Sequence, residues 1–161
     1  MEIKKVNIPT RPARQFITEH LVVDAWEKIE SYFQDLLDRE IDSVQNLEKW
    51  MLDRSELDAV LEEEQAWRYI KMNIDTRDEA LGKDFAFWVK EISPNVAPYS
   101  HKLNVKLVES PFLNDLDQEK YRIYLRGLKK AIEIFREENI PLFTEMETKQ
   151  QEYGAMSAKM T

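Results

Sequence analysis

Residues Trp50 to Thr76 read W-M-L-D-R-S-E-L-D-A-V-L-E-E-E-Q-A-W-R-Y-I-K-M-N-I-D-T, with no glycine or proline. Large rings and aliphatics recur three and four residues apart, the period of one face of an α-helix. Ser55 is a good cap for a helix that buries Leu57, Val60, Leu61, Trp67 and Ile70. Glu56, Asp58, Glu62, Glu63 and Glu64 crowd its first half, where the positive end of the helix dipole favours carboxylates. Trp50 and Trp67 read as core anchors. Nothing in the tract forms an obvious nucleophile or metal-ligand set, so it reads as packing scaffold.

The same period runs outward in both directions. Upstream, after a break at Ile41–Asp42, Ser43 caps a brief helix carrying Val44, Leu47, Trp50 and Met51. Before it, Asp24 opens a helix to about Arg39 with Trp26, Ile29, Phe33, Leu36 and Leu37 on one side. Residues 1–23 hold Pro9 and Pro12 among Lys4, Lys5, Arg11 and Arg14, which predicts an extended basic arm lying over the helical body of residues 24–161. Downstream, Thr76 and Glu79 have the spacing of a capping box for a helix with Leu81, Phe85, Trp88, Val89 and Ile92 as its stripe. Pro94 and Pro98 should end or kink it. A moderately helical segment follows from Tyr99 to Val108. Asp115 or Asp117 then opens a long helix to Asn139, with Tyr121, Tyr124, Leu125, Leu128, Ile132 and Phe135 on its apolar face. Ile140-Pro141 starts the last helix, which places Leu142, Met146, Tyr153, Met156 and Met160 at near-heptad spacing. Its pattern still runs at Thr161, the expectation for a truncated chain.

Composition narrows the classes. With 161 residues, 43% hydrophobic and 34% charged, the chain fits one globular domain with a real core. A net charge of −8 disfavours nucleic acid and anionic membranes as partners. Without cysteine there is neither disulfide nor thiolate metal site. No apolar run approaches the ~20 residues of a spanning helix, and Met1–Lys5 does not begin a secretory signal, which gives a cytoplasmic expectation. The three glycines, Gly82, Gly127 and Gly154, fall inside helical patterns, so neither hairpin turns nor phosphate-cradling loops are available. The fold expected is an all-α array of about six or seven helices in antiparallel hairpins, without a sheet, as a single domain over residues 1–161.

Candidate chemistry is sparse. His20 and His101 have no second ligand at zinc spacing, and Asp24, four residues from His20, serves as a cap. Glu62–Glu64 and the cluster Asp75, Asp78 and Glu79 are abundant acids explained by solvated faces and caps. Lys120 to Lys130 reads K-Y-R-I-Y-L-R-G-L-K-K. Its tyrosines fall on the apolar stripe and its bases opposite, so the basic face should dock on an acidic helix such as Glu62–Glu64. No residue is assigned a catalytic or metal-binding role, and no substrate-binding residue is identified.

Several longer phrases resemble one family. Leu47 to Ile70, together with D-T-R-D-E-A (Asp75 to Ala80), I-S-P-N-V-A-P-Y-S-H-K-L (Ile92 to Leu103) and Y-L-R-G-L-K-K-A-I-E-I-F-R-E-E-N-I-P-L (Tyr124 to Leu142), is similar to the N-terminal region of oligoendopeptidase F-like zinc metallopeptidases, in the thimet oligopeptidase-like group. R-P-A-R-Q-F-I (Arg11 to Ile17) looks like that family's entry into its first helix. The resemblance implies a helical wall of a deep channel that admits short peptides. It also implies a zinc held by an H-E-x-x-H helix in the full-length enzyme, a motif this sequence lacks. The segment is then non-catalytic alone, binds no cofactor, and has the catalytic region of the same chain as its partner. The rival expectation is a standalone non-enzymatic helical module that binds peptides or proteins. In either case Met156 and Met160 lack cover, so the isolated segment should self-associate.

Overall fold

A computed structural model describes residues 13–158; residues 1–12 of the expected arm, and Met160, lie outside them. Six α-helices are present among the described residues: α1 (Glu27–Asp38), α2 (Val44–Ile74), α3 (Glu79–Phe87), α4 (Ser93–Val108), α5 (Gln118–Ile134) and α6 (Ile140–Ala158). A π-helical turn, Trp88–Ile92, joins α3 directly to α4, and no strand occurs among the described residues. The fold is all-α, as the sequence period requires.

Two helices expected around Trp50 are one. α2 runs 31 residues without interruption, because nothing between Met51 and Ser55 breaks a helix and Ser55 stays internal to it. Ser43 is the cap, its side chain accepting from the Asn46 N–H. The expected capping box after Thr76 gives way to Asp78, whose carboxylate accepts from the N–H groups of Ala80 and Leu81. Asp24 does not cap α1 but pairs with Lys28 at 2.6 Å. Asp117 caps α5, which ends at Ile134 rather than Asn139.

Pro94 and Pro98 do not end their helix. At the π turn the Ser93 N–H bonds to the Trp88 carbonyl, five residues back, and the ladder restarts with Pro94 in the first turn of α4. A first-turn position needs no N–H, so the proline is accommodated there. Pro98 remains inside α4.

The α3–π–α4 rod is the hub against which the other helices pack. α2 runs antiparallel to it, with Arg54 reaching Asn104 near one end and Arg68 reaching Asp84 at 3.2 Å near the other. α1 lies along α4, fixed where the Tyr99 hydroxyl donates to Glu30 at 3.0 Å and Lys106 Nζ donates to the carbonyls of Leu36, Leu37 and Arg39 at the end of α1. Trp26, Phe33 and Tyr99 form a ring cluster across that seam, with centroids 5.3 to 5.7 Å apart. α6 packs on the rod from the other side, where Gln151 donates to the Gly82 carbonyl at 2.9 Å. Ile29, Phe33, Leu36, Leu47, Trp50, Leu57, Val60, Ile92, Leu103 and Leu107 are buried at the centre.

Residues 13–26 cross the outside of this core. Ile17 and Val23 are buried, and the backbone N–H groups of Gln15, Phe16 and Ile17 all donate to the Glu56 carboxylate at 2.8 to 3.2 Å. Burial, the largest single influence on Glu56, pushes its pKa up, but the three N–H donors together outweigh it and hold the carboxyl below its ordinary range. A lowered folded-state pKa stabilises above the unfolded value, and that contribution is lost as pH falls through the folded value. Glu56→Gln is therefore expected to cost about 1–2 kcal/mol at neutral pH. Urea titrations should show this gap to wild type closing as pH falls below about 4.

Candidate functional site

A cleft of about 690 Å³ opens between the C-terminal half of α2, the start of α3 and α6. α2 contributes Glu62, Gln65, Ala66, Tyr69, Met72 and Asn73; α3 and its cap contribute Asp78, Glu79, Gly82 and Phe85; α6 contributes Glu147, Gln150, Gln151, Gly154 and Ala155. The arrangement follows from the end of α2. Past Arg68 the helix leaves the central core, and the two-residue turn at Arg77 folds α3 back along it. Tyr69 and Phe85 meet at the base, ring centroids 5.8 Å apart. Gly82 and Gly154 keep the walls low, and α6 is pinned by the Gln151 bond to Gly82.

The cleft has a definite chemistry. Four carboxylates and four side-chain amides line it, and no lysine or arginine does. Such a surface attracts ammonium and guanidinium groups, while the amides can both donate to and accept from peptide groups. A second hollow, about 750 Å³ beside Arg39, Lys102 and Lys106, is more open, and its Lys106 amine is already engaged by three carbonyls.

The sequence-level candidates separate here. Glu62, Asp78 and Glu79 share the cleft with Glu147. Glu63 pairs with Arg14 at 3.2 Å and Glu64 with Arg68 at 2.6 Å, so neither is available to the Lys120–Lys130 face as expected. Lys120 instead reaches Glu48 at 3.6 Å, and Lys130 reaches Glu133 on its own helix. His20 is exposed, and His101 stacks on Phe135 with centroids 4.1 Å apart. Among the described residues no three His, Cys, Asp or Glu side chains are placed to hold a metal ion, so the residues present do not fit a zinc site. Trp67 is 53% exposed and Ile70 43%, which overturns their assignment to the core.

Sequence reasoning missed the charged residues that α2 buries. Asp53 takes Arg39 and Lys49, Arg54 takes Asn104 and lies 3.5 Å from Asp58, and Arg68 takes Glu64, Asp84 and the Val23 carbonyl. Arg54 keeps Nε and Nη1 buried without a hydrogen-bond partner.

The described residues thus form an all-helical domain with an acidic, amide-lined cleft. Residues 18–135 match the family model described as the peptidase M3 N-terminal domain. The chain belongs to that family of M3 peptidase N-terminal domains. No curated protein and no solved structure gives a significant match. The α6 wall of the cleft lies beyond the matched residues.

Proposed function

We propose that this chain is the helical channel-wall segment of a zinc-dependent, oligoendopeptidase F-like oligopeptidase of the cytoplasm, which hydrolyses short peptides in its full-length form. Membership of the M3 N-terminal family over residues 18–135 carries this reading. The acidic, amide-lined cleft supports it, because amides can pair with a peptide backbone and carboxylates with its amino terminus or basic side chains. The zinc and its ligands belong to the catalytic region of the parent chain, and this segment encloses substrate without cutting it.

Two measurements test the reading. The source reading frame should continue past Thr161 into an H-E-x-x-H motif; a stop codon there supports the alternative, a standalone helical interaction module. That alternative draws on the exposed stripe of α6, where Leu142, Met146, Tyr153 and Met156 share one side. The purified chain, supplied with zinc, should leave a quenched-fluorescence peptide uncut, and hydrolysis above a heat-denatured control overturns the proposal. On either reading the uncovered α6 stripe should drive concentration-dependent self-association, seen by sedimentation velocity.

A further inference from the structure

The cleft does not end at α3. A hollow of about 270 Å³ in the seam between α2 and the rod shares Glu62 and Gln65 with it, and one of about 170 Å³ between the rod and α6 shares Glu147. The two hollows in turn share Ser93 and Ala97, the ridge of the rod between them. All three therefore form one trough with the α3–π–α4 rod as its floor. Its walls run in the same direction. α2 is antiparallel to the rod, and so is α6, whose Gln151 meets Gly82 while Phe143 lies beside Val89 and Ala97. The walls extend from Asp58 to Asn73 and from Ile140 to Ala155. Each is about 22 Å long at the rise of an α-helix, a distance that an extended chain covers in about six or seven residues.

The charge of the trough is of one sign. No lysine, arginine or histidine lines it, whereas Asp58, Glu62, Asp78, Glu79 and Glu147 do. Three of these carboxylates are engaged: Asp58 lies 3.5 Å from Arg54, Asp78 caps α3, and Glu79 pairs with Lys83 at 3.6 Å. Glu62 and Glu147 have neither a cationic partner nor a side-chain hydrogen bond among the described residues. They stand on opposite walls, each at the point where the cleft opens into one of its hollows. The side-chain amides of Gln65 and Gln150, on the same two walls, are unengaged as well. Two unrelieved carboxylates in one cleft favour an ammonium or guanidinium group between them, and the Tyr69 and Phe85 rings at the base offer its alkyl stem an apolar surface.

We propose that the trough takes an extended peptide bearing a lysine or arginine, with the cationic group between Glu62 and Glu147 and the peptide backbone against Gln65 and Gln150. The inference rests on the proposed peptidase reading for a peptide as the occupant. It adds the charge that the site selects and the two residues that select it.

Fluorescence anisotropy tests this with three heptapeptides, each alanine except for a central lysine, glutamine or glutamate. A dye blocks the amino terminus and an amide the carboxyl terminus, so the central residue carries the only difference in charge. Titrated with the full 161-residue chain, the lysine peptide should bind about tenfold more tightly than the glutamine peptide, and the glutamate peptide more weakly than either. Glu62→Gln and Glu147→Gln should each weaken the lysine peptide by about fivefold, and the double variant should bring it level with the glutamine peptide. Glu133→Gln removes the same charge from the exposed side of α5 and should change binding by less than about twofold. All three positions lie outside the buried core, and circular dichroism confirms that the variants keep the helical fold. Equal binding of the three peptides overturns the inference, and so does an equal loss in all three single variants, which would reduce selectivity to net charge. Displacement of the lysine peptide by spermidine as effectively as by its own unlabelled copy also overturns it, since the carboxylates then hold a free polyamine. Failure here leaves the peptidase reading to its own tests, because a reading frame that runs on into H-E-x-x-H does not depend on which peptides this segment selects. Selective binding by a chain whose reading frame stops at Thr161 would sink that reading and keep this inference.

Discussion

Trp50→Ala should lower the stability of this domain by about 4 kcal/mol, within the range for emptying a fully buried tryptophan site. Trp50 has no exposed surface and sits where α1, α2 and the end of α4 converge. Its indole Nε1 donates to the Leu36 carbonyl at 2.8 Å, and the Arg54 guanidinium lies 5.9 Å from its ring centroid. Removing the ring opens a void among Phe33, Leu36 and Leu47, which interdigitated helices cannot close without moving. The hydrogen bond is the smaller part. The Leu36 carbonyl also accepts from Lys106 Nζ at 3.0 Å, so it is not orphaned when the indole is lost. Trp50→Phe should therefore cost only about 1–2 kcal/mol. Urea unfolding followed by circular dichroism separates the two, with the midpoint shifting and the slope unchanged. Equal costs for the two variants would mean that the hydrogen bond, not the packed ring, carries the site.

The contrast between Trp50 and Trp67 shows what the sequence could reveal. Local three- and four-residue spacings mark both for a buried face, but along the single helix α2 they stand about a quarter turn apart. Leu47, Trp50, Leu57, Val60 and Leu61 are buried as that period implies, because α1 and α4 lie against the first half of α2. Trp67, Ile70 and Ile74 lie toward the side of α2 that carries exposed Leu52, away from the Trp50–Leu57–Leu61 face that stays buried as far as Arg68, and local spacing does not say which side a neighbour covers. The cap at Ser43 was legible, and that of α5 was narrowed to Asp115 or Asp117, of which Asp117 serves. Caps were misread at Thr76, where Asp78 takes the role, and at Asp24, which pairs with Lys28 instead. The prolines were misread because a π turn at Trp88–Ile92 resets the hydrogen-bond ladder, and a π turn leaves no residue signature of its own.

The cleft was out of reach for a different reason. Glu62, Asp78 and Glu79 looked like solvated acids, and each is that in its own helix. They become one electronegative wall only because Glu147 and Gln151 arrive from α6, about seventy residues away. Nor does a hydrophobic pattern predict Asp53, Arg54 or Arg68, since burial of a charge depends on partners contributed by other elements. Those three residues explain how the site is held. Asp53 ties α2 to the end of α1, Arg54 ties it to α4, and Arg68 ties it to α3. Beyond Arg68 no such tie exists among the described residues, although the wall that α2 gives the cleft runs on from Glu62 to Asn73.

Arg68 is thus the last of these ties along α2, within the stretch that lines the cleft, and Arg68→Ala should cost about 3 kcal/mol. The residue is 8% exposed, and its guanidinium serves three elements at once. Nη1 meets Glu64 at 2.6 Å within α2, Nε meets Asp84 of α3 at 3.2 Å, and Nη2 donates to the carbonyl of buried Val23 at 2.7 Å. Its plane also lies 5.1 Å from the Trp88 ring centroid. Asp84 and Glu64 keep access to water, so their loss of a partner is partly compensated; the Val23 carbonyl is enclosed and bears most of the penalty. Lysine cannot replace this fork, because one ammonium on a flexible stem cannot reach a backbone carbonyl, two carboxylates and a ring face together. Arg68→Lys should accordingly recover less than half of the loss. Hydrogen exchange locates the effect: protection should fall in α3 and around Val23 while α5 stays unchanged. If Arg68→Lys restored full stability, the interaction would reduce to simple charge pairing. The angle between α2 and α3, and with it the width of the cleft, would then have to be set by Tyr69 and Phe85 alone.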